Sequence, residues 1–397
     1  MSRTFGYYII PDQQMLRPNS GPSEHIHTGL KYLGKSFDIE ILAPGKVYEQ
    51  TEVNEVQSKQ AQKVRFGKNG LIGIIRDLKT LLKNHLQLRQ YYKALKAKQP
   101  DFVYERAEYL NYNGIIACRM LGIPHFYEVN WVFFREMKQY YHSWFNPVSK
   151  WLEEWAYNHT NRAFFVGNQN QFLKLKYNNW QVIQNGIAMD TMLKFKDHKH
   201  KVEDKIHCCV VAKLMPHHRF DVLAKALQQL EPRKELHFHF IGYEFEKALK
   251  TLPEDVSYTF HGPVAKNQLT DLISQSQLGV ISGGMHYASF MKLYEYAAVK
   301  HLVICPRLQN LENNFSNNEI LFFENESAAD LAQKLDQVIK DPSLIQAYGE
   351  ALYRKVQQSF TWEIIFEDIS AKIKAHSLNT DLEFNRATDS QLLEKKL

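Results

Sequence analysis

Two side chains of one stretch could act together on a ligand. In residues 278–306, LGVISGGMHYASFMKLYEYAAVKHLVICP, Lys292 and Glu295 stand three apart, which puts them on one side of a helix. The stretch reads as strand, turn, helix, strand. Residues 278–282 are a short apolar run closed by Gly283 and Gly284, as where a buried parallel strand ends in a tight loop. Met291, Leu293, Tyr294, Ala297 and Ala298 then recur at helical spacing, and residues 302–305 return as a strand that Pro306 ends. A helix start outside the carboxyl end of a parallel strand gathers unpaired N–H groups and positive dipole, so it suits an anion, phosphate above all. Lys292 in the first turn adds charge, and Glu295 one turn on can accept from sugar hydroxyls. An ordinary strand–loop–helix with a solvated Lys/Glu pair is the plain alternative.

The elements around this stretch alternate. Strands are expected at 206–212, 236–242 and 256–260, with helices at 220–230, 244–250 and 265–275, followed later by helices at 327–340 and 343–358. Such alternation specifies a parallel sheet covered on both faces. The first half repeats the scheme. Residues 4–10 read as a strand, Gly21 and Pro22 as a turn, Ser23 as the cap of a helix to residue 33, and 38–43 as the next strand. Further strands are expected at 101–105, 163–166 and 181–184. The polar run 190–205 suits a hinge. With 397 residues, two cores are expected.

At this point SFMKLYEYAAVKHLVICP resembles the donor-binding segment of GT-B-fold retaining glycosyltransferases of the family-4, group 1 type. The resemblance runs from Gly21 to the helix that Thr361-Trp362-Glu363 starts, and it includes the turn Asn185-Gly186-Ile187. It implies an α/β chain of two Rossmann-like domains facing a cleft, with a C-terminal helix crossing back to the first. On that reading residues 1–190 bind the acceptor, 191–362 bind the nucleotide sugar, 363–375 cross over, and 376–397 form a polar tail. Lys213 and Arg219 fall six apart in the loop CVVAKLMPHHRFDVL, where the family holds the donor diphosphate with the two residue types exchanged. They would stabilise the charge of the departing diphosphate together with Lys292. Gly21, Val264, Ser289, Phe290, Met291, Lys292 and Glu295 would line the donor, and Glu128 and Asn130 the acceptor side. Glu295 would hold the ribose; the family's other glutamate would fall on Tyr287. His217 and His218 are expected to face solvent in their loop. With no Asp-x-Asp in the chain, no metal and no cofactor beyond the donor substrate are expected.

Residues 63–98 carry ten Lys or Arg and one acid, Asp77, on a pattern with apolar helical periodicity. A basic amphipathic helix or helix pair could lie on an anionic membrane or hold nucleic acid, or could be a solvated face. The aromatic residues there are too few for a stacking platform, which favours lipid over nucleic acid. Ten aromatic residues between 131 and 157 could grip an acceptor or fill a core. The net charge is only +6, four cysteines lack metal or disulfide spacing, and no run of about 18 apolar residues occurs. The expectation is a cytoplasmic enzyme, attached peripherally to the inner membrane face. It would move a sugar from a nucleotide diphosphate to a glycan or lipid-linked acceptor in bacterial surface polysaccharide or glycoconjugate assembly. A nucleotide-sugar epimerase on the same fold and a non-catalytic sugar-nucleotide-binding module are the alternatives.

Overall fold

A computed structural model describes residues 4–16, 21–48, 70–141, 143–200 and 204–378. The chain forms two compact units, residues 1–183 with 366–397, and residues 184–365. In the first unit the elements are β1 (Phe5–Ile9), α1 (Gly21–Ser36), β2 (Asp38–Ala43), β3 (Lys46–Tyr48), α2 (Gly70–Lys98), β4 (Phe102–Arg106), α3 (Asn113–Leu121), β5 (His125–Val129), α4 (Phe133–Tyr141), α5 (Asn146–His159), β6 (Arg162–Val166) and β7 (Trp180–Ile183). The strands form one sheet in the order β3-β2-β1-β4-β5-β6-β7, parallel except for the hairpin strand β3. The order reverses between β1 and β4, so the carboxyl ends of these strands frame a crevice. α1 starts at Gly21 itself, so Gly21-Pro22 is no separate turn and Ser23 no cap. A proline is tolerated in a first helical turn because the N–H it lacks has no intrahelical partner there.

The second unit holds α6 (Met189–Lys194), β8 (Ile206–Lys213), α7 (Phe220–Gln229), β9 (Leu236–Tyr243), α8 (Glu246–Leu249), β10 (Ser257–Gly262), α9 (Lys266–Ile273), β11 (Leu278–Val280), α10 (Met291–Ala298), β12 (Leu302–Pro306), α11 (Gln309–Glu312), β13 (Leu321–Phe323), α12 (Ala328–Lys340) and α13 (Ser343–Ser359). Its sheet runs β10-β9-β8-β11-β12-β13, all parallel, and reverses between β8 and β11. Cys208, Phe238 and Phe240 point into a core with α7 and α12. On the other face Cys209, Ile241 and Ile281 pack with α10 and α13. α14 (Trp362–Leu378) starts in this unit, and from Phe366 its residues belong to the first, where Phe366 stacks on Tyr32 at 5.9 Å and Gln181 donates to Asp368 at 2.7 Å.

Residues 190–200 are built into the second unit and are no hinge. Met192 is fully buried, and its carbonyl accepts from the Tyr353 hydroxyl at 2.8 Å. The chain changes unit between Ile183 and Gln184, earlier than expected at 190. Residues 201–203 and 379–397, from the expected hinge and tail, lie outside the described residues.

β11 is short, and pairs with β8 only at Cys208 and Cys209. Beyond that point α10 supplies the missing partners. The Tyr296 hydroxyl accepts from the Val211 N–H at 3.0 Å and donates to the Cys209 carbonyl at 3.2 Å. Gly279 makes room for that ring, since a Cβ there would lie 2.4 Å from Tyr296 Cδ2. Gly279→Ala should therefore destabilise the fold by about 1–3 kcal/mol through overpacking, read as a lower urea midpoint with an unchanged slope.

Candidate active site

In the second unit the predicted donor residues converge on the carboxyl ends of β8 and β11, at the strand-order reversal. Lys213 ends β8 and is exposed. The loop after it makes a single 3-10 turn at Pro216–His218 and reaches Arg219 in the left-handed conformation, with φ of 49°. The loop after β11 is tied to it: the Ser282 hydroxyl donates to the His218 carbonyl at 2.9 Å. Gly283 allows this approach, because a Cβ there would sit 2.5 Å from Arg219 Cβ and 2.9 Å from the His217 carbonyl oxygen.

Lys292 lies in the first turn of α10, partly buried, and its ammonium donates to the Val211 carbonyl of β8 at 3.2 Å. Burial pulls its pKa down to about 8, against the raising influence of Cys305, Glu295 and Cys209. Glu295 is buried one turn further on. Helix start, ammonium and carboxylate are thus set at one crevice, as phosphate and ribose would need.

Other predicted residues take different parts. Arg219 is already engaged: it grips Asp221 through Nε at 2.9 Å and Nη2 at 3.0 Å, and it pairs with Glu326. A diphosphate would have to compete with two carboxylates for it. The Ser289 hydroxyl accepts from the Asn185 N–H at 2.9 Å and meets the Tyr294 hydroxyl at 3.1 Å, so it holds the loop rather than facing a ligand. The Phe290 ring packs under Gly284, and Val264 packs against the apolar core. Met291 is the first residue of α10. Tyr287 is buried, with its hydroxyl 2.8 Å from the Met285 sulfur. His217 and His218 are only partly open to solvent. Both are partly buried near Lys292, and burial first, then the lysine charge, holds each imidazole below its ordinary pKa.

In the first unit Glu128 and Asn130 come together with partners that sequence reasoning missed. Glu128 is buried at the end of β5. It accepts from Arg106 Nη1 at 2.6 Å, Asn130 Nδ2 at 2.6 Å, the Tyr104 hydroxyl at 3.0 Å and the Tyr8 hydroxyl at 3.4 Å, with His25 Nδ1 at 3.8 Å. One carboxylate on β5 thus collects groups from β1, α1, β4 and the residue just past β5 at the carboxyl edge of the sheet. The signal was present: charges inside the apolar strands FVYER and HFYEV are rarely buried unless paired. Glu108, just past β4, has its carboxyl pushed up to about 7 by burial, against a backbone hydrogen bond from Tyr109 at 2.8 Å. Gly21 opens α1 on the same unit.

The chain has the GT-B fold. Residues 219–371 match the family model described as glycosyl transferase-like. The Rickettsia africae glycosyltransferase structure superposes with a TM-score of 0.66 at 14% identity, covering 96% of this chain and 100% of that one. Sucrose-phosphate synthase from Thermosynechococcus elongatus gives 0.69 at 11% identity, with 95% and 100% covered. The Anabaena protein HepE, solved with UDP and glucose, gives 0.65 at 12% identity, with 94% and 100% covered. No curated protein matches this sequence. The second unit carries cations and a helix start at its strand-order reversal, and the first unit carries a pinned carboxylate network at the carboxyl edge of its own sheet.

The basic stretch departs from its expected form. Residues 63–69 lie outside the described residues, and the rest is one continuous helix, α2, rather than a pair. Its first half is turned opposite to its pattern. Asp77 and Asn84 are buried, while Leu78, Leu82 and Leu86 are 52%, 61% and 69% exposed beside exposed Lys79 and Lys83. Asp77 is drawn inward by Arg76 and by the Ser143 hydroxyl at 2.6 Å, which outweighs leucine burial locally. Of the aromatics between 131 and 157, Phe134 and Tyr157 fill the core, whereas Trp144 and Trp151 are exposed.

Binding of a nucleoside diphosphate should depend on the charge of Lys292. A pKa of about 8 in the free protein means the ammonium is lost as pH rises through that value. Affinity for UDP should therefore be level below about pH 7.5 and fall above pH 8. Calorimetric titrations at several pH values check this, and Lys292→Arg should remove the decline.

Proposed function

We propose that this chain is a retaining, metal-independent glycosyltransferase that moves a sugar from a nucleotide diphosphate to a glycan or lipid-linked acceptor. The observation that carries this reading is the crevice between β8 and β11, where Lys292 in the first turn of α10 bonds Val211 of β8 and the loop after β11 is tied to the Lys213–Arg219 loop. In the reaction, the bond from the anomeric carbon to the diphosphate breaks, and the acceptor oxygen forms a new bond on the same face. The acceptor proton passes to a phosphate oxygen of the leaving group. Negative charge develops on the diphosphate, where Lys213, Arg219, Lys292 and the helix dipole stabilise it without a metal. Glu295 accepts from the ribose hydroxyls. Because HepE was solved with UDP-glucose, a uridine donor is the first to test. In the first unit the network of Glu128 and Asn130 orients the acceptor, and surface polysaccharide or glycoconjugate assembly is the setting.

The acceptor is presented at an anionic membrane face, to which α2 docks. Its exposed leucines lie next to lysines, and Trp144 neighbours the same helix through the Ser143–Asp77 hydrogen bond. Apolar insertion flanked by positive charge suits anionic headgroups. No helix among the described residues is long and apolar enough to cross a membrane, so contact would be at the surface.

Lys213→Ala and Arg219→Ala should each cost about 1.5–3 kcal/mol in transfer from a UDP-sugar, measured as kcat/KM with an acceptor panel and EDTA present. Wild-type rates in both variants, or activity that only a divalent metal restores, would reject this donor site. Membrane docking is checked by co-sedimentation. Binding should require vesicles with anionic lipid, weaken as salt rises, and drop when Leu82 and Leu86 become Ser or Lys79 and Lys83 become Glu.

A further inference from the structure

We infer that the second unit carries a transition-metal site, built from His207, His237 and His239 on one face of its sheet. His207 of β8 stands opposite His237 of β9, and β9 places His239 two residues on. Strand alternation sends all three imidazoles to the same side, while Leu236, Phe238 and Phe240 fill the core on the other. One ring nitrogen from each of the three lies within 4.8 Å of the others. Two nitrogens on one tetrahedral zinc stand about 3.3 Å apart, so small side-chain rotations close the set. His207 Nδ1 and His239 Nε2 are already 2.8 Å apart.

The surroundings fit ligation. The Ser257 hydroxyl lies 2.7 Å from His237 Nδ1 and fixes that ring. His237 Nε2, 3.0 Å from the Thr259 hydroxyl, would exchange that hydrogen bond for the metal. His261 of β10 lies 2.9 Å from His239 Nδ1 and holds the second ring from its far side. Partners of this kind set the tautomer of a ligating histidine. The three ligands are only partly buried, so an ion can enter from solvent. Neutral imidazoles without carboxylate or thiolate favour zinc, copper or nickel over magnesium or calcium. A three-histidine set leaves one tetrahedral position for water.

This site is separate from the donor crevice. His207 and Lys213 lie six residues apart on one strand, roughly 20 Å, and the ligands stand in the amino-terminal half of β8 and β9. The inference therefore does not rest on the proposed transfer reaction.

The test uses the full chain without a histidine tag, stripped with chelator and titrated with zinc against a chromophoric competitor at pH 7.5. One equivalent should bind with submicromolar affinity, and His237→Gln and His239→Gln should each weaken it at least 100-fold. His198→Gln, a partly buried histidine elsewhere in the unit, should leave it unchanged. Cobalt on the unaltered chain should give the intense visible bands of a tetrahedral site, a readout that survives if the variants fold poorly. Substoichiometric binding, octahedral cobalt bands, or full affinity in both ligand variants would overturn the assignment.

Discussion

The second unit depends on how the backbone of β8 is satisfied where β11 stops. A parallel strand with unpaired N–H and carbonyl groups in a dry interior would be costly. Here the Tyr296 hydroxyl takes the Val211 N–H and the Cys209 carbonyl, and the Lys292 ammonium takes the Val211 carbonyl. Two side chains of one helix thus do what a longer β11 would have done. The sheet can part at this point without leaving orphan groups, and the start of α10 is aimed at the gap. The same contact explains why Lys292 is a tuned cation: the carbonyl holds the ammonium in a partly buried place where burial lowers its pKa.

Around that point the loops are held by backbone contacts as much as by side chains. Gly283 and Gly284 let the chain run against Arg219 and the Phe290 ring. Asn310 bonds Gln184 and the Ala288 carbonyl, and Asn185 bonds Ser289 through both its N–H and its side chain. The loop before α10 is therefore preorganised from beneath by the first residues of its own unit. If the proposed donor binds there, a loop preset in this way would cost little reorganisation when charge develops. Arg219 is the counterweight: held by Asp221 and Glu326, it would have to exchange those partners to engage the phosphate of the proposed donor.

The first unit solves a related problem differently. Among the described residues its carboxyl edge has no glycine-rich loop; it has a buried carboxylate with four donors. Glu128 would be expensive to bury alone, and Arg106 with the tyrosines makes it tolerable only if every partner is in place. Such a network locks the ends of β1, β4 and β5 in register and gives the edge a defined polar surface. Asp77 plays a similar part on α2, at the cost of exposing leucines.

Much of this was legible from the chain alone. Apolar runs located β8, β11 and β12, the second closed by Gly283-Gly284 and the third by Pro306, and the alternation of strands and helices specified parallel sheets, because burial on both faces requires continuous apolar strands. The Lys292–Glu295 spacing placed both residues on one helix. Local pattern could not say which partner a charge would find. That Arg219 would be held by Glu326, 107 residues away, that Glu128 would gather Arg106, and that His207 would meet His239 are consequences of strand order and register. The rotation of α2 had the same origin: periodicity names an apolar face, but whether it turns inward depends on whether buried Asp77 and Asn84 find donors and acceptors across the fold. Sequence therefore determined the elements and their types, through short-range sterics and hydrophobic spacing. Tertiary structure decided which polar groups pair, because those pairs join residues that only the topology brings together.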